Sequence, residues 1–276
     1  MRVRQRNSFS PIIIGLTILA IIGAGFLAIT RTRVKLAHPV KDFLVVGTNP
    51  PFAPFEVKKG ANVVGIDMDL AERIADRLHR RLVIMTFDEF GSVLPALGAG
   101  KIDLAASAIT ITPERKEVAS FSIPYYTAAQ AVLAARNSTL RYTREPQDFA
   151  GLRVTCQAKT TSEAWVEQNL IHNPSGVAPI DSSLYASFDD MNYAVQSLRL
   201  GQFDVIVLDQ PAAEKLVETY SDLKIIGVIE THENYGLAVQ QGDPEHLLPV
   251  INQVIQDLQK KGGLQKLFDK WQGGEQ

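Results

Sequence analysis

Apolar and polar residues follow two rhythms along this chain. Leu70, Ile74 and Leu78 recur at the spacing of one helix face with polar residues between them, so residues 67–78 are expected to form an amphipathic helix. Ahead of it, the apolar run 43–47 closes on Gly47 and reads as a strand. Behind it, residues 82–87 read as a strand and 92–97 as a helix ended by Gly98 and Gly100. Residues 102–106 follow as a strand. The same order then recurs: strand over 152–156, helix over 162–170, a short strand over 177–180, helix over 190–200 and strand over 203–208. Near the end, Val250, Val254 and Leu258 mark one face of a helix over 247–260. Gly262 and Gly263 break it, and a second helix spans 264–271.

The two runs echo each other in detail. Leu97-x-x-Gly100-Lys101-Ile102-Asp103-Leu104 matches Leu198-x-x-Gly201-Gln202-Phe203-Asp204-Val205, a helix ending at glycine before a buried strand. The echo and the matching order of elements predict an α/β protein of two lobes of similar design. Sheets of this kind carry their sites at the carboxyl ends of strands, here 48–52, 107–110, 157–161 and Asp209, so a cleft between lobes is the expected site.

Apolar content is uneven. Residues 11–30 carry no charge and are long enough to cross a bilayer as a helix, which takes about 20 residues. Arg2, Arg4 and Arg6 precede this run, which keeps the N-terminus cytoplasmic, while Arg31, Arg33 and Lys35 follow it. Residues 1–36 are expected to be an uncleaved signal-anchor, with a signal peptide cleaved before Pro39 as the alternative. Either way the rest is exported, to the periplasm or extracellular face. No cysteine near the run supports a lipoprotein anchor. Beyond residue 35 the chain carries 22 basic and 30 acidic residues, a net charge of −8, which argues against nucleic acid or an anionic membrane surface as partner. The only cysteine, Cys156, lies in an apolar run and reads as a buried structural thiol.

Two charges stand out. Thr112, Pro113 and Glu114 form a helix start, which puts Arg115 at the third helical position. A cation there opposes the helix dipole. It is either a solvated surface arginine or the partner of an anion held in front of the helix. Asp209 ends the buried run 205–208 and precedes Gln210-Pro211. It is either an N-cap or an anion facing the cleft. Arg115 and Asp209, one from each lobe, would match the carboxylate and ammonium of a free α-amino acid. Phe52, on a loop stiffened by Pro50, Pro51 and Pro54, and Phe90 are either pocket walls or ordinary core. The chain has no phosphate-binding glycine loop, no G-x-S-x-G and no close histidine pair, so no catalytic residue, metal or cofactor is expected.

Taken together, VVGTNPPFAPFE (45–56), VGIDMDLAERIADRL (64–78), VLPALGAGKIDLAASAITITPERKEVASFSIPYY (93–126), GLRVTCQAKTTSEAW (151–165), FDVIVLD (203–209), YGLAV (235–239) and the closing KW (270–271) resemble the extracellular solute-binding proteins that feed polar amino acids to bacterial ABC importers. The resemblance implies a Venus-flytrap fold. Lobe 1 is then 40–124 plus 236–276, lobe 2 is 130–230, and 125–129 and 231–235 are the hinges. It implies that Arg115 clamps the ligand carboxylate with help from Thr110 and Thr161, and that Asp209 takes the ammonium. Phe52 and Phe90 then sandwich the side chain, while the backbone around Ser107 and Ala108 adds hydrogen bonds.

Three departures matter: Asn49 where many relatives carry an acid, Gln157 where lysine or another polar residue is common, and Lys159 in place of a common glycine. Asn49 and Gln157 favour a polar, uncharged ligand such as glutamine. The expected protein is a monomer that docks on a permease and is tethered by its N-terminal segment. The rival readings are a dehydratase-like enzyme on the same fold, with Glu89 the one unassigned acid, and a sensory module.

Overall fold

The computed structural model describes residues 41–172 and 178–272, so the expected signal-anchor at 1–36 lies outside the described residues. In chain order the elements are β1 (Phe43–Thr48), the hairpin β2 (Val57–Lys59) and β3 (Asn62–Val64), α1 (Ile66–Leu78), β4 (Arg81–Thr86), α2 (Val93–Gly98), β5 (Leu104–Ala105), α3 (Pro113–Val118) and β6 (Ala119–Phe121). Then come β7 (Tyr126–Ala135), β8 (Val154–Gln157), α4 (Thr161–Val166), β9 (Tyr185–Phe188), α5 (Met191–Arg199), β10 (Val205–Asp209), α6 (Gln210–Thr219) and β11 (Leu223–Tyr235). The chain closes with β12 (Ala238–Gln240), α7 (Leu248–Lys260) and α8 (Gly263–Gln272).

These strands build two five-stranded sheets. The first has the order β4-β1-β5-β12-β6, and the second β11-β7-β10-β8-β9. β1 runs parallel to β4 and β5, while β12 is antiparallel to its neighbours. In the second sheet β8, β9 and β10 are parallel, and β7 runs antiparallel to β10 and β11. The chain passes between the sheets twice, between Phe121 and Tyr126 and between Tyr235 and Ala238. Each sheet has its own core. Leu44, Val46, Ile74 and Ile251 pack beside the first; Leu133, Val195, Leu198 and Leu208 pack beside the second.

The sequence echo is a structural one. Gly100 and Gly201 both adopt left-handed backbone (φ 68° and 71°) just past a helix, where a side chain would be strained. The residue just before the next strand is an aspartate that ties two chain segments together. The Asp103 carboxylate accepts from Val45 N at 2.9 Å, and the Asp204 carboxylate from Arg153 N at 2.8 Å.

Two expectations change. The helix over 162–170 ends at Val166 and widens into one π-helical stretch, Glu167–Ile171. The strand expected at 177–180 is not found over 178–180, and Val177 lies outside the described residues. The edge strand is β9 instead, paired from Val154↔Tyr185 to Gln157↔Phe188. Its side chains are only half-buried, which gives it a weaker apolar signal, whereas the apolar Ile180 packs into the core beside β8 and β10.

Candidate functional site

Helix α3 forms as its start signal predicts. Thr112 Oγ1 accepts from Arg115 N at 3.2 Å, and Pro113 occupies the first helical position. The Arg115 guanidinium donates to the carbonyl of Thr110 at 2.9 Å and to that of Lys159 at 3.1 Å, so one side chain bridges the two halves. Its carbon stands 5.2 Å from the centre of the Phe90 ring, a cation–π contact. It is not a solvated surface arginine.

Asp209 is not a cap. Its side chain makes no capping bond to helix α6. It is buried and accepts instead from the amide of Gln130 and the hydroxyl of Tyr235. Burial pushes its carboxyl up to about 7; the nearby Glu233 charge adds to the rise, while the bonds from Tyr235 and Gln130 and the charge of Arg115 oppose it. Asp209 likewise acts on Arg115, whose own basicity burial lowers. The two charges therefore sense one another across the cleft.

A hydrogen-bonded chain runs along the wall formed by the first sheet. Asn49 N donates to Ser107 Oγ at 3.0 Å, and Ser107 Oγ donates to Glu56 Oε1 at 2.7 Å. Glu56 is 1% exposed, and its Oε2 has no hydrogen-bond partner among the described residues. Burial, followed by the neighbouring Asp67 charge, raises the Glu56 carboxyl well above the usual carboxylate range. Asp67 sits behind it and accepts from Ala108 N at 2.8 Å and from Tyr125 Oη at 2.6 Å. That bond holds Ala108 in left-handed backbone (φ 46°), with its peptide lining the cleft.

All ten residues singled out from the sequence, Asn49, Phe52, Phe90, Ser107, Ala108, Thr110, Arg115, Gln157, Thr161 and Asp209, line this one cleft. Glu56, Thr160 and Met191 join them around about 380 Å³ of atom-free space, part of it open to solvent. Asn49 and Gln157 bond each other, with Gln157 Nε2 donating to Asn49 Oδ1 at 3.1 Å. Phe52 packs against both cores.

With this geometry in view, the pattern that describes bacterial extracellular solute-binding proteins, family 3, matches residues 44–274. The chain belongs to this family. It is 28% identical over 237 residues to the arginine-binding extracellular protein ArtP of Bacillus subtilis, covering 85% of this chain and 88% of that one. It is 31% identical over 231 residues to the L-cystine-binding protein TcyJ of Escherichia coli K12, covering 83% and 81%. An ancestral arginine-binding protein solved bound to arginine superposes with a TM-score of 0.74 at 33% identity, covering 84% of this chain and 99% of that one. An ancestral arginine-binding protein has also been solved bound to glutamine.

Within this solute-binding protein, Lys159 shows why a glycine is common at its position. It has φ 63°, a left-handed backbone that costs an L-residue roughly 1–2 kcal/mol. Its side chain is exposed and does not line the cleft, whereas its carbonyl serves Arg115. Glu89 is exposed too, and is bonded to Ser92. Besides Asp209, Glu56 lines the cleft, and Glu233 stands behind it, bonded to the lining residues Thr110 and Thr161; neither glutamate was singled out in the sequence. Glu56 follows Phe55 in a proline-rich run that reads as loop. Glu233 lies on a strand whose register no pattern predicts.

Proposed function

We propose that this solute-binding protein takes up a free L-α-amino acid outside the cytoplasm and presents it to an ABC importer, without covalent chemistry. The carrying observation is the opposed pair Arg115 and Asp209 in one cleft, a cation from the first half and a buried carboxylate from the second. That pair matches a zwitterion. Phe52 and Phe90 frame the side chain, and the Ala108 peptide adds main-chain bonding. The two crossings, 125–129 and 231–235, act as hinges for lobe closure, with 40–124 plus 236–276 as one lobe and 130–230 as the other. Amino-acid-binding relatives support this reading, among them a solved protein described as the substrate-binding protein of an amino acid ABC transporter. The partner is then a permease, the protein works as a monomer, and residues 1–36 serve as its tether.

For the side chain, Glu56 decides. A buried acid with one free oxygen, at the wall where Asn49 and Ser107 meet, fits a cationic group such as guanidinium, in line with the ligands named for ArtP and the ancestral protein. A second reading rests on Asn49 and Gln157. Their neutral pair, beside an acid whose protonated form burial favours, fits a glutamine-like amide.

Calorimetry with L-arginine and L-glutamine separates the two. Ionising Glu56 against a guanidinium releases a proton, so arginine binding should tighten as pH rises and its heat should vary with the buffer. Glu56→Gln should weaken arginine about tenfold or more, ~1.4 kcal/mol, and spare glutamine. Wild-type preference for glutamine, unchanged in Glu56→Gln, would leave the neutral reading standing.

A further inference from the structure

Lys159 is strained for a reason that its carbonyl does not supply. Its φ of 63° suits glycine, and a glycine there would offer Arg115 the same carbonyl. A strained conformation persists where its surroundings hold it. Here Lys159 N donates to Glu163 Oε2 at 2.7 Å, and Glu163 N donates to Thr160 Oγ1 at 3.2 Å, which ties Lys159 to the first turn of α4. The direction in which its side chain leaves the backbone is thereby set. It leads to the first half of the molecule. A Cβ added at Gly91 would stand 2.9 Å from Lys159 Cγ and 3.4 Å from Lys159 Cβ. Gly91 is the middle residue of the short helical turn Phe90–Ser92, and both it and Lys159 are exposed at the edge of the cleft. Its own backbone is not left-handed, so what the missing side chain provides there is room.

We propose that the methylene stem of Lys159 seats on Gly91 and holds the two halves shut over a bound amino acid, while its ammonium stays in water. Lys159 is a positioning residue for closure, and its side chain stands outside the cleft lining. Three contacts meet in this corner: Phe90 with Arg115, Arg115 with the Lys159 carbonyl, and the Lys159 stem with Gly91. A glycine at 159 would keep the first two and lose the third. The inference rests on the amino-acid reading above, and it concerns how long a ligand is held rather than which groups bind it.

The probes are L-arginine and L-glutamine. Dissociation constants and release rates are measured for wild type, Gly91→Ala, Lys159→Gly, Lys159→Met and the double variant Gly91→Ala/Lys159→Gly. Gly91→Ala puts a methyl group where the stem rests, and should weaken both probes alike by about tenfold or more through faster release. Lys159→Gly removes the stem and should speed release by about threefold to tenfold. Lys159→Met keeps an unbranched apolar stem without the charge and should release at the wild-type rate. In the double variant the added methyl meets no stem, so Gly91→Ala should cost little beyond Lys159→Gly alone. An equal cost of Gly91→Ala with and without the lysine, or a Lys159→Met that releases as fast as Lys159→Gly, overturns the seat and leaves the amino-acid reading intact. A wild-type protein that binds neither probe overturns both.

Discussion

Arg115→Ala is expected to weaken amino-acid binding by roughly 3–5 kcal/mol, because the ligand carboxylate would be left desolvated without its counter-charge. The guanidinium carries five N–H groups in a fixed fork. Two are directed at the carbonyls of Thr110 and Lys159, and the guanidinium carbon makes the cation–π contact with Phe90. The remaining N–H groups can meet a carboxylate in front of helix α3. Arg115→Lys should lose most of the affinity as well, since an ammonium cannot reproduce the planar fork or hold both carbonyls. Titration calorimetry on both variants measures this, and near-native affinity in Arg115→Ala would overturn the clamp.

Asp209 predicts the second large effect, on affinity and on its pH dependence. Asp209→Asn keeps an acceptor for Tyr235 but loses the charge, and should weaken amino acids by roughly 2–5 kcal/mol. In the wild type, the groups facing Asp209 are Glu233 and Tyr235 of β11, Gln130 of β7 and Arg115 of α3, with the charge of Glu56 also within range. Its carboxyl titrates at about 7, and an ammonium binds the ionised form. For L-glutamine, whose side chain draws no proton from Glu56, affinity should therefore fall as pH drops below about 7, approaching tenfold for each pH unit, and this dependence should vanish in Asp209→Asn.

Stability without added ligand should move the other way. Asp209, Asp67 (raised to about 6, mainly by burial) and Glu56 all hold protons more tightly folded than unfolded. For Asp67 and Asp209 this stabilising protonation is complete near pH 4 and is lost as pH rises through about 6 and about 7, and Glu56 acts in the same direction. A tenfold gain in proton affinity on folding is worth about 1.4 kcal/mol, so calorimetric melting temperatures should fall from about pH 5 to about pH 7.5. A melting temperature that instead rises over this range would contradict the protonation of these three acids.

Much of this was legible in the residues. Helix α3 and the place of Arg115 follow from three adjacent start signals, and local rules suffice for such a feature. The echo between Gly100-Lys101-Ile102-Asp103 and Gly201-Gln202-Phe203-Asp204 pointed to two similar halves because each stretch repeats one device, a left-handed glycine and an aspartate that ties two chain segments. What escaped depends on the whole fold. Whether Asp209 caps helix α6 or faces the cleft depends on Tyr235 and Gln130, which are distant in sequence. Glu56 was hidden because its direction depends on a loop that turns back at Phe52, where Phe52 N and Glu56 O bond. Glu233 depends on a strand slip that alternation cannot reveal, since residues 229–235 show no clear apolar period. Edge strand β9 was misplaced because a strand buried on neither face lacks the apolar run that marks a central one.

The cleft is divided unevenly. Eight of its thirteen lining residues, Arg115 among them, come from the first half, and five, Asp209 among them, from the second. On the proposed assignment of Arg115 to the carboxylate and Asp209 to the ammonium, a molecule arriving from solution rests its carboxylate and side chain on the first half, whereas its ammonium gains its counter-charge only when the second half is also engaged. Arrival and residence are thereby set by different residues. Substitutions at Arg115 or Phe52 should slow capture, and those at Asp209 or Thr161 should shorten the time each captured molecule stays. A transporter coupled to this chain would read the second quantity, because only a molecule that lingers is still aboard when the complex reaches the membrane.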